Sequence, residues 1–222
     1  MGYQLDFGAL SQYFGLFLSG TVTTVGLSAV AAIVGILIGI AGAAGSRSRH
    51  VWLRRAILAY VELIRNTPFI VQMFFLFFGL PSLGLRLSAL QAAALAMTIN
   101  LAAYAIEIIR AGIEAVPFGE IEAGRAFGLS PVALFRRIVL PQAIAIVYPA
   151  LVGQVVITML ESAVVSQIAV VDLTHVADLI QSRNFRPFET YLVVTVIYLV
   201  LAVILRKLLE AGGRRLFAGR AP

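Results

Sequence analysis

Glu122-Ala123-Gly124-Arg125-Ala126-Phe127-Gly128, followed nine residues later by Ile138-Val139-Leu140-Pro141, is a polar, helix-capable island between long apolar runs. Glu122 and Arg125 give it a water-facing side. Gly128 allows a turn with positive φ or the close approach of another backbone. Ser130-Pro131 joins a cap residue to one suited to the first helical turn. Pro141 marks where the next apolar segment begins or kinks, because it lacks the amide that a helix interior uses.

The surroundings of the island are those of a membrane protein. The 222 residues are 60% hydrophobic and 13% charged, with a mean hydropathy of +0.96. Soluble domains keep roughly a quarter of their residues charged. No removable secretory signal is expected, since no basic residue precedes an apolar run too long for a signal core. Cysteine is absent, which excludes disulfides, thiolate metal sites and a cysteine nucleophile. The net charge of +6 does not indicate nucleic acid: the basic residues come in bursts between apolar segments, the pattern of membrane topology.

A helix needs about 20 apolar residues to cross the hydrocarbon. Five segments qualify, at 17–44, 56–80, 88–109, 142–170 and 189–209, within one membrane domain over 1–222. With the N-terminus outside, fourteen of the seventeen Lys and Arg residues face the cytoplasm, leaving only Arg86, Arg183 and Arg186 outside. The positive-inside rule therefore predicts N-out and C-in, with the 110–141 island cytoplasmic. Gly35 and Gly39 are spaced for close helix packing. The aromatic segment 1–16 is expected in the outer interface.

Nothing in the chain supplies fuel or catalysis. A phosphate-binding loop needs a lysine after a glycine-rich turn, and Lys207, the single lysine, has no such approach. His50 and His175 fall on opposite sides of the predicted membrane and cannot share a metal. No enzymatic chemistry, catalytic residue or metal site is expected here.

A short helix over 119–127 is predicted, with Pro117 before it and Gly128 near its C-cap. Small residues at 123, 124 and 126 suit a helix lying in a partner's groove, with Phe127 as anchor. The alternative is a membrane-surface loop without a partner, but Glu120 and Glu122 beside Arg125 make a poor match to anionic lipid.

The spacing of this island resembles the EAA loop of ABC-transporter permeases, E-A-A-x3-G-x9-I-x-L-P, with Gly124 at the second alanine. Tyr60-Val61-Glu62-Leu63-Ile64-Arg65-Asn66-Thr67-Pro68 with Val71-Gln72, Ala103–Ile113, and Phe185-Arg186-Pro187-Phe188-Glu189-Thr190-Tyr191 are similar to segments of polar amino-acid permeases. The resemblance is to the histidine/glutamine/arginine-type uptake family and spans nearly the whole chain. It implies an all-α type I importer permease of the bacterial cytoplasmic membrane. It also implies two ATP-binding subunits that hold ATP and Mg, a second permease, identical or homologous, and an extracytoplasmic binding protein. ATPase docking then falls to Glu122, Ala123, Gly124, Phe127 and Gly128. A secondary transporter or a channel subunit is the alternative, but no inverted repeat supports it.

Glu161 is an acid inside an apolar segment, and intramembrane acids are costly unless they face protein or water. Gln154, Thr158, Glu161, Ser162 and Val165 share a helix face, and Pro149 with Gly153 is a place for the helix to open. In the resembled family this segment usually carries a lysine before its acid, and the acid lines the translocation path. Here Leu160 replaces the lysine, which favours a cationic substrate. The rival reading pairs Glu161 with a base of the second permease. Glu107 and Arg110, and likewise Glu62 and Arg65, are spaced to pair on one helix, and Tyr104 is placed to reach the same pathway as Glu107.

Overall fold

A computed structural model describes residues 4–217. Every regular element among the described residues is helical. A 3₁₀ turn, Gly8–Tyr13, leads into α1 (Phe14–Gly45), and α2 (Val51–Arg65) follows. α3 (Phe69–Phe74) continues through a π-turn at Phe75–Gly79 and a 3₁₀ turn at Leu80–Leu83. Next come α4 (Ala89–Glu114), α5 (Phe118–Ala126) and α6 (Pro131–Leu134). A second π-turn, Phe135–Val139, joins α6 to α7 (Leu140–Glu161), which tightens into 3₁₀ form over Ser162–Ile168. α8 (Leu173–Asn184) and α9 (Pro187–Phe217) complete the chain.

Four stretches are long and apolar enough to cross a membrane: Gly8–Gly45, Ala89–Glu114, Pro131–Ile168 and Pro187–Arg215. They contain the first, third, fourth and fifth expected spans to within a few residues. The second expected span, 56–80, is not one rod. It divides into two arms, Val51–Arg65 and Phe69–Leu83, bent by 109°. Local chemistry explains the break. Pro68 disfavours helical backbone at Thr67. The Asn66 amide and the Thr67 hydroxyl donate to the carbonyls of Glu62 and Leu63, at 2.8 Å each, in competition with the helix.

α4 is the buried spine. Leu101, Ala102, Ala103 and Ala105 are fully covered, and α1 packs along it. Gly35 lies against Leu101, and any side chain at Gly39 would overlap Ala105. The small-residue spacing on α1 therefore serves packing within the chain. The outer faces of α1 and α9 expose Val, Leu and Ile, as suits helices bathed in hydrocarbon.

Three further expectations change. The N-terminal segment is not merely interfacial: Leu10 and Phe17 pack against Leu173, Val176 and Ile180 of α8. Its residues 1–3 lie outside the described residues. The outer connection 171–188 is mostly helix α8, capped by Asp172, whose carboxylate accepts the His175 amide at 2.8 Å. The island 110–141 is also mostly helix, and the long apolar stretch that follows α5 begins at Pro131 rather than at Pro141.

Pro141 does deform its helix. The Leu140 amide reaches the Phe135 carbonyl five residues back, the wide turn of a π-helix. The Leu80 amide reaches Phe75 in the same way, one residue before Pro81. A proline clashes with the carbonyl four residues earlier, and a wide turn moves that carbonyl aside. Pro149, by contrast, stays inside a continuous α7, so the helix does not open at Pro149–Gly153.

Candidate functional site: the inner-face segment and the polar faces of the spans

The island folds as a helix closed at both ends. Phe118–Ala126 starts after Pro117 and ends at Gly128, whose φ of +74° needs glycine. The Leu129 amide donates to the Gly124 carbonyl at 3.2 Å, and the Gly128 amide to Arg125 at 2.9 Å. This is a Schellman motif. Ser130 caps α6 by accepting the Ala133 amide at 3.3 Å.

The two faces of α5 differ. Gly124 is buried against the chain itself, where an added Cβ would strike Leu134 and Ile138. It does not stand on the open face with the other expected docking residues, which corrects its assignment there. Glu122, Ala123 and Gly128 are exposed, and Phe127 keeps 86% of its surface open. Phe118, 64% exposed at the other end of the helix, belongs to the same open surface. An aromatic residue just inside a helix at the water boundary was the signal for it. Beneath α5, Val116, Val139 and Ala143 form a small core with Ile113 and Ile121, so the helix is braced against α4 and α7.

The polar residues of α7 do not form an open stripe. Gln154, Thr158, Ser162 and Val165 are buried. Ser162 donates to the Met159 carbonyl at 2.6 Å, and the Thr158 hydroxyl has no hydrogen-bond partner. Glu161 alone is half-exposed, at the edge where the buried arc meets open Gly153, Ile157 and Leu160. It can therefore meet a ligand or a neighbouring chain; the other members of the stripe cannot without rearrangement.

Glu107 and Tyr104 belong to a different group. Glu107 accepts from Arg110 at 2.7 Å, and Arg65 approaches it at 3.6 Å from across the bend. Arg110 also pairs with Glu114 at 3.0 Å, and the Arg65 guanidinium sits over the Tyr104 ring at 5.6 Å. The expected Glu62–Arg65 pair is absent: Glu62 accepts from Asn66 at 2.9 Å instead. The helix break turns Arg65 away from its own helix and toward α4. α4 and α7 meet at Gly112 and Val147. Along antiparallel axes Glu107 and Glu161 are then on the order of 13 Å apart, so the two acids are not one cluster.

A partly buried polar pair, Gln72 with Asn100, which the sequence did not single out, holds the break. Gln72 donates to the carbonyls of Ile64 and Thr67, at 2.8 and 3.0 Å. It accepts from Asn100 of α4 at 3.1 Å. The signal was an asparagine amid the alanines of an apolar helix, Ile99-Asn100-Leu101.

At the other end of the molecule Glu189, fully buried, accepts from Arg186 at 2.9 Å and from the Asp6 amide at 3.0 Å. This ties the N-terminal segment to the start of α9. Among the described residues no group of three or more His, Asp or Glu is arranged to hold a metal.

Comparison with known proteins agrees with this geometry. The chain is 36% identical over 199 residues to the probable glutamine ABC transporter permease GlnM of Bacillus subtilis strain 168, covering 90% of this chain and 92% of that one. It is 33% identical over 214 residues to the nopaline transport system permease NocM of Agrobacterium fabrum, covering 92% and 89%. The crystal structure of an amino acid ABC transporter with histidines superposes with a TM-score of 0.90 at 38% identity, over 96% of this chain and 100% of that one. Residues 33–217 match a family described as the binding-protein-dependent transport system inner membrane component, and the chain belongs to that family.

Proposed function

We propose that this chain is the permease subunit of an importer for polar amino acids, with a preference for cationic ones. It hydrolyses nothing itself. Two ATP-binding subunits, which hold ATP and Mg, grip the open surface of α5 formed by Glu122, Ala123, Phe127 and Phe118. A second permease, identical or homologous, completes the pathway, and an extracytoplasmic binding protein delivers solute to the side bearing the N-terminus. The observation carrying this reading is α5 itself: a short helix braced by Gly124 against Leu134 and Ile138, with an aromatic and acidic surface left open. The names of the two relatives, glutamine and nopaline permeases, support the solute class.

Glu161 is the residue we assign to the cationic end of the solute, since it alone of the α7 polar set is reachable. A second reading has it pair with the neighbouring permease, favoured by exposed Ile157 and Leu160 beside it. Uptake assays with the complete transporter test both. Expression with the cognate ATP-binding subunit, second permease and binding protein should give ATP-dependent amino-acid uptake, and its absence overturns the importer reading. E161Q should lower arginine uptake relative to glutamine; an unchanged ratio assigns Glu161 to the subunit contact.

A further inference from the structure

We propose that the cavity between Arg47 and Arg125 binds one anionic phospholipid, with its phosphodiester held by the two guanidinium groups. The cavity is about 290 Å³, and its apolar floor includes Ile113, Ile121, Leu134 and Phe135. Three transmembrane stretches end around it. α1 stops at Gly45, two residues before Arg47; Ile113 lies in the last turn of α4; Phe135 lies in the first turns of Pro131–Ile168. The ends of three apolar stretches thus converge on one cavity whose floor is apolar. The positive-inside rule puts this end in the cytoplasmic leaflet, where anionic lipids concentrate.

The charges at the site are one-sided. No carboxylate lines the cavity, and neither Arg47 nor Arg125 forms an ion pair among the described residues. Of the nearby acids, Glu114 pairs with Arg110, Glu120 borders the neighbouring groove, and Glu122 is exposed on α5 without lining the cavity. Arg125 stands on the flank of α5, one turn from Ile121, which packs against the small core, and next to the exposed Glu122. Two unneutralised guanidiniums over a hydrocarbon floor match a lipid phosphate with its chains below. A soluble phosphate would gain nothing from the floor. The bound lipid would join the end of α1 to α5, two elements linked by no ion pair among the described residues.

The test is native mass spectrometry of the purified chain, with any subunits that co-purify, from micelles doped with phosphatidylglycerol or with phosphatidylcholine. Phosphatidylglycerol should be retained preferentially, and R47A/R125A should cut that retention by about thirtyfold. R214A/R215A, on α9 away from the cavity, should retain it as the parent does. I113F, which fills the floor but keeps both arginines, should also lose the lipid. If R47A/R125A does not yield folded protein, R47K/R125K serves in its place and should retain phosphatidylglycerol at an intermediate level. Equal retention by the parent and either arginine variant overturns the proposal. So does displacement of the lipid by millimolar inorganic phosphate with I113F still binding that phosphate, which would mark a soluble-anion site.

Discussion

Gln72 and Asn100 are joined by a 3.1 Å hydrogen bond between α3 and α4, and through it the bend in the second segment is fixed to the buried spine. Gln72 also donates to the Ile64 and Thr67 carbonyls, the first of which otherwise has only long 3.5 Å bonds from Thr67. Q72A should therefore lower stability by about 1–3 kcal/mol, the range for stranding buried polar groups. N100A should cost less, because Asn100 leaves its own carbonyl oxygen unpartnered already. Thermal unfolding in a mild detergent measures both; an N100A loss exceeding that of Q72A would refute this ordering.

Arg65 and Glu107 form the second brace across the bend. Their side chains are 39% and 26% exposed, so water screens the pair and R65Q should cost no more than about 1 kcal/mol. E107Q should cost more than R65Q, since Glu107 also holds Arg110. The check is a double-mutant cycle on unfolding midpoints, which should give a small favourable coupling between positions 65 and 107.

The two faces of α5 give separable phenotypes. G124L should unseat the helix from Leu134 and Ile138 and lower the yield of folded protein. F127A should leave unfolding unchanged and reduce capture of the ATP-binding subunit. The chain has no cysteine, so single cysteines at 122, 123 and 127 can be cross-linked without background. If position 124 cross-linked as readily as 123, the inward placement of Gly124 would be wrong.

Asp172 adds a pH dependence. Burial pushes its carboxyl above the ordinary value, against hydrogen bonds from the His175 and Thr174 amides and from Tyr198 that act to lower it. A raised carboxyl means the folded state holds a proton that the unfolded chain releases. Stability from this group is complete below the unfolded value and is lost as pH rises through the folded one. D172N keeps the cap on α8 without the charge. Its unfolding midpoint should gain on the parent as pH rises above the ordinary carboxylate range, whereas D172A should lose about 1 kcal/mol of stability with the cap.

Most of the architecture was legible because bilayer physics writes long apolar runs into a sequence. The 17–44 and 189–209 segments contain no charge until their ends, and both are single helices. The 56–80 segment looked equally continuous by hydropathy. Its break depends on side chains taking backbone carbonyls and on Gln72 being near enough to accept the consequence, neither of which an apolar average records. The short helix α5 was legible to within a residue at each end, since Pro117 and Gly128 act locally. The direction of Gly124 was not, because it depends on Leu134 and Ile138 folding back beneath it. The α7 stripe failed in a similar way. Periodicity grouped Gln154, Thr158, Ser162 and Glu161 correctly on one arc, but which arc meets α4 is a tertiary fact.

The wide turn at Phe135–Val139 makes the interval between Gly128 and Pro141 a matter of counting. It holds one residue more than regular coiling of the backbone would use. Deleting one residue within Phe135–Val139 would let the coil close up and would swing everything upstream, α5 included, by about 100° around the α7 axis. A partner seated on Glu122 and Phe127 would then find the whole of α5 carried away from its seat. Side-chain replacements in this interval should be far better tolerated than any change in its length.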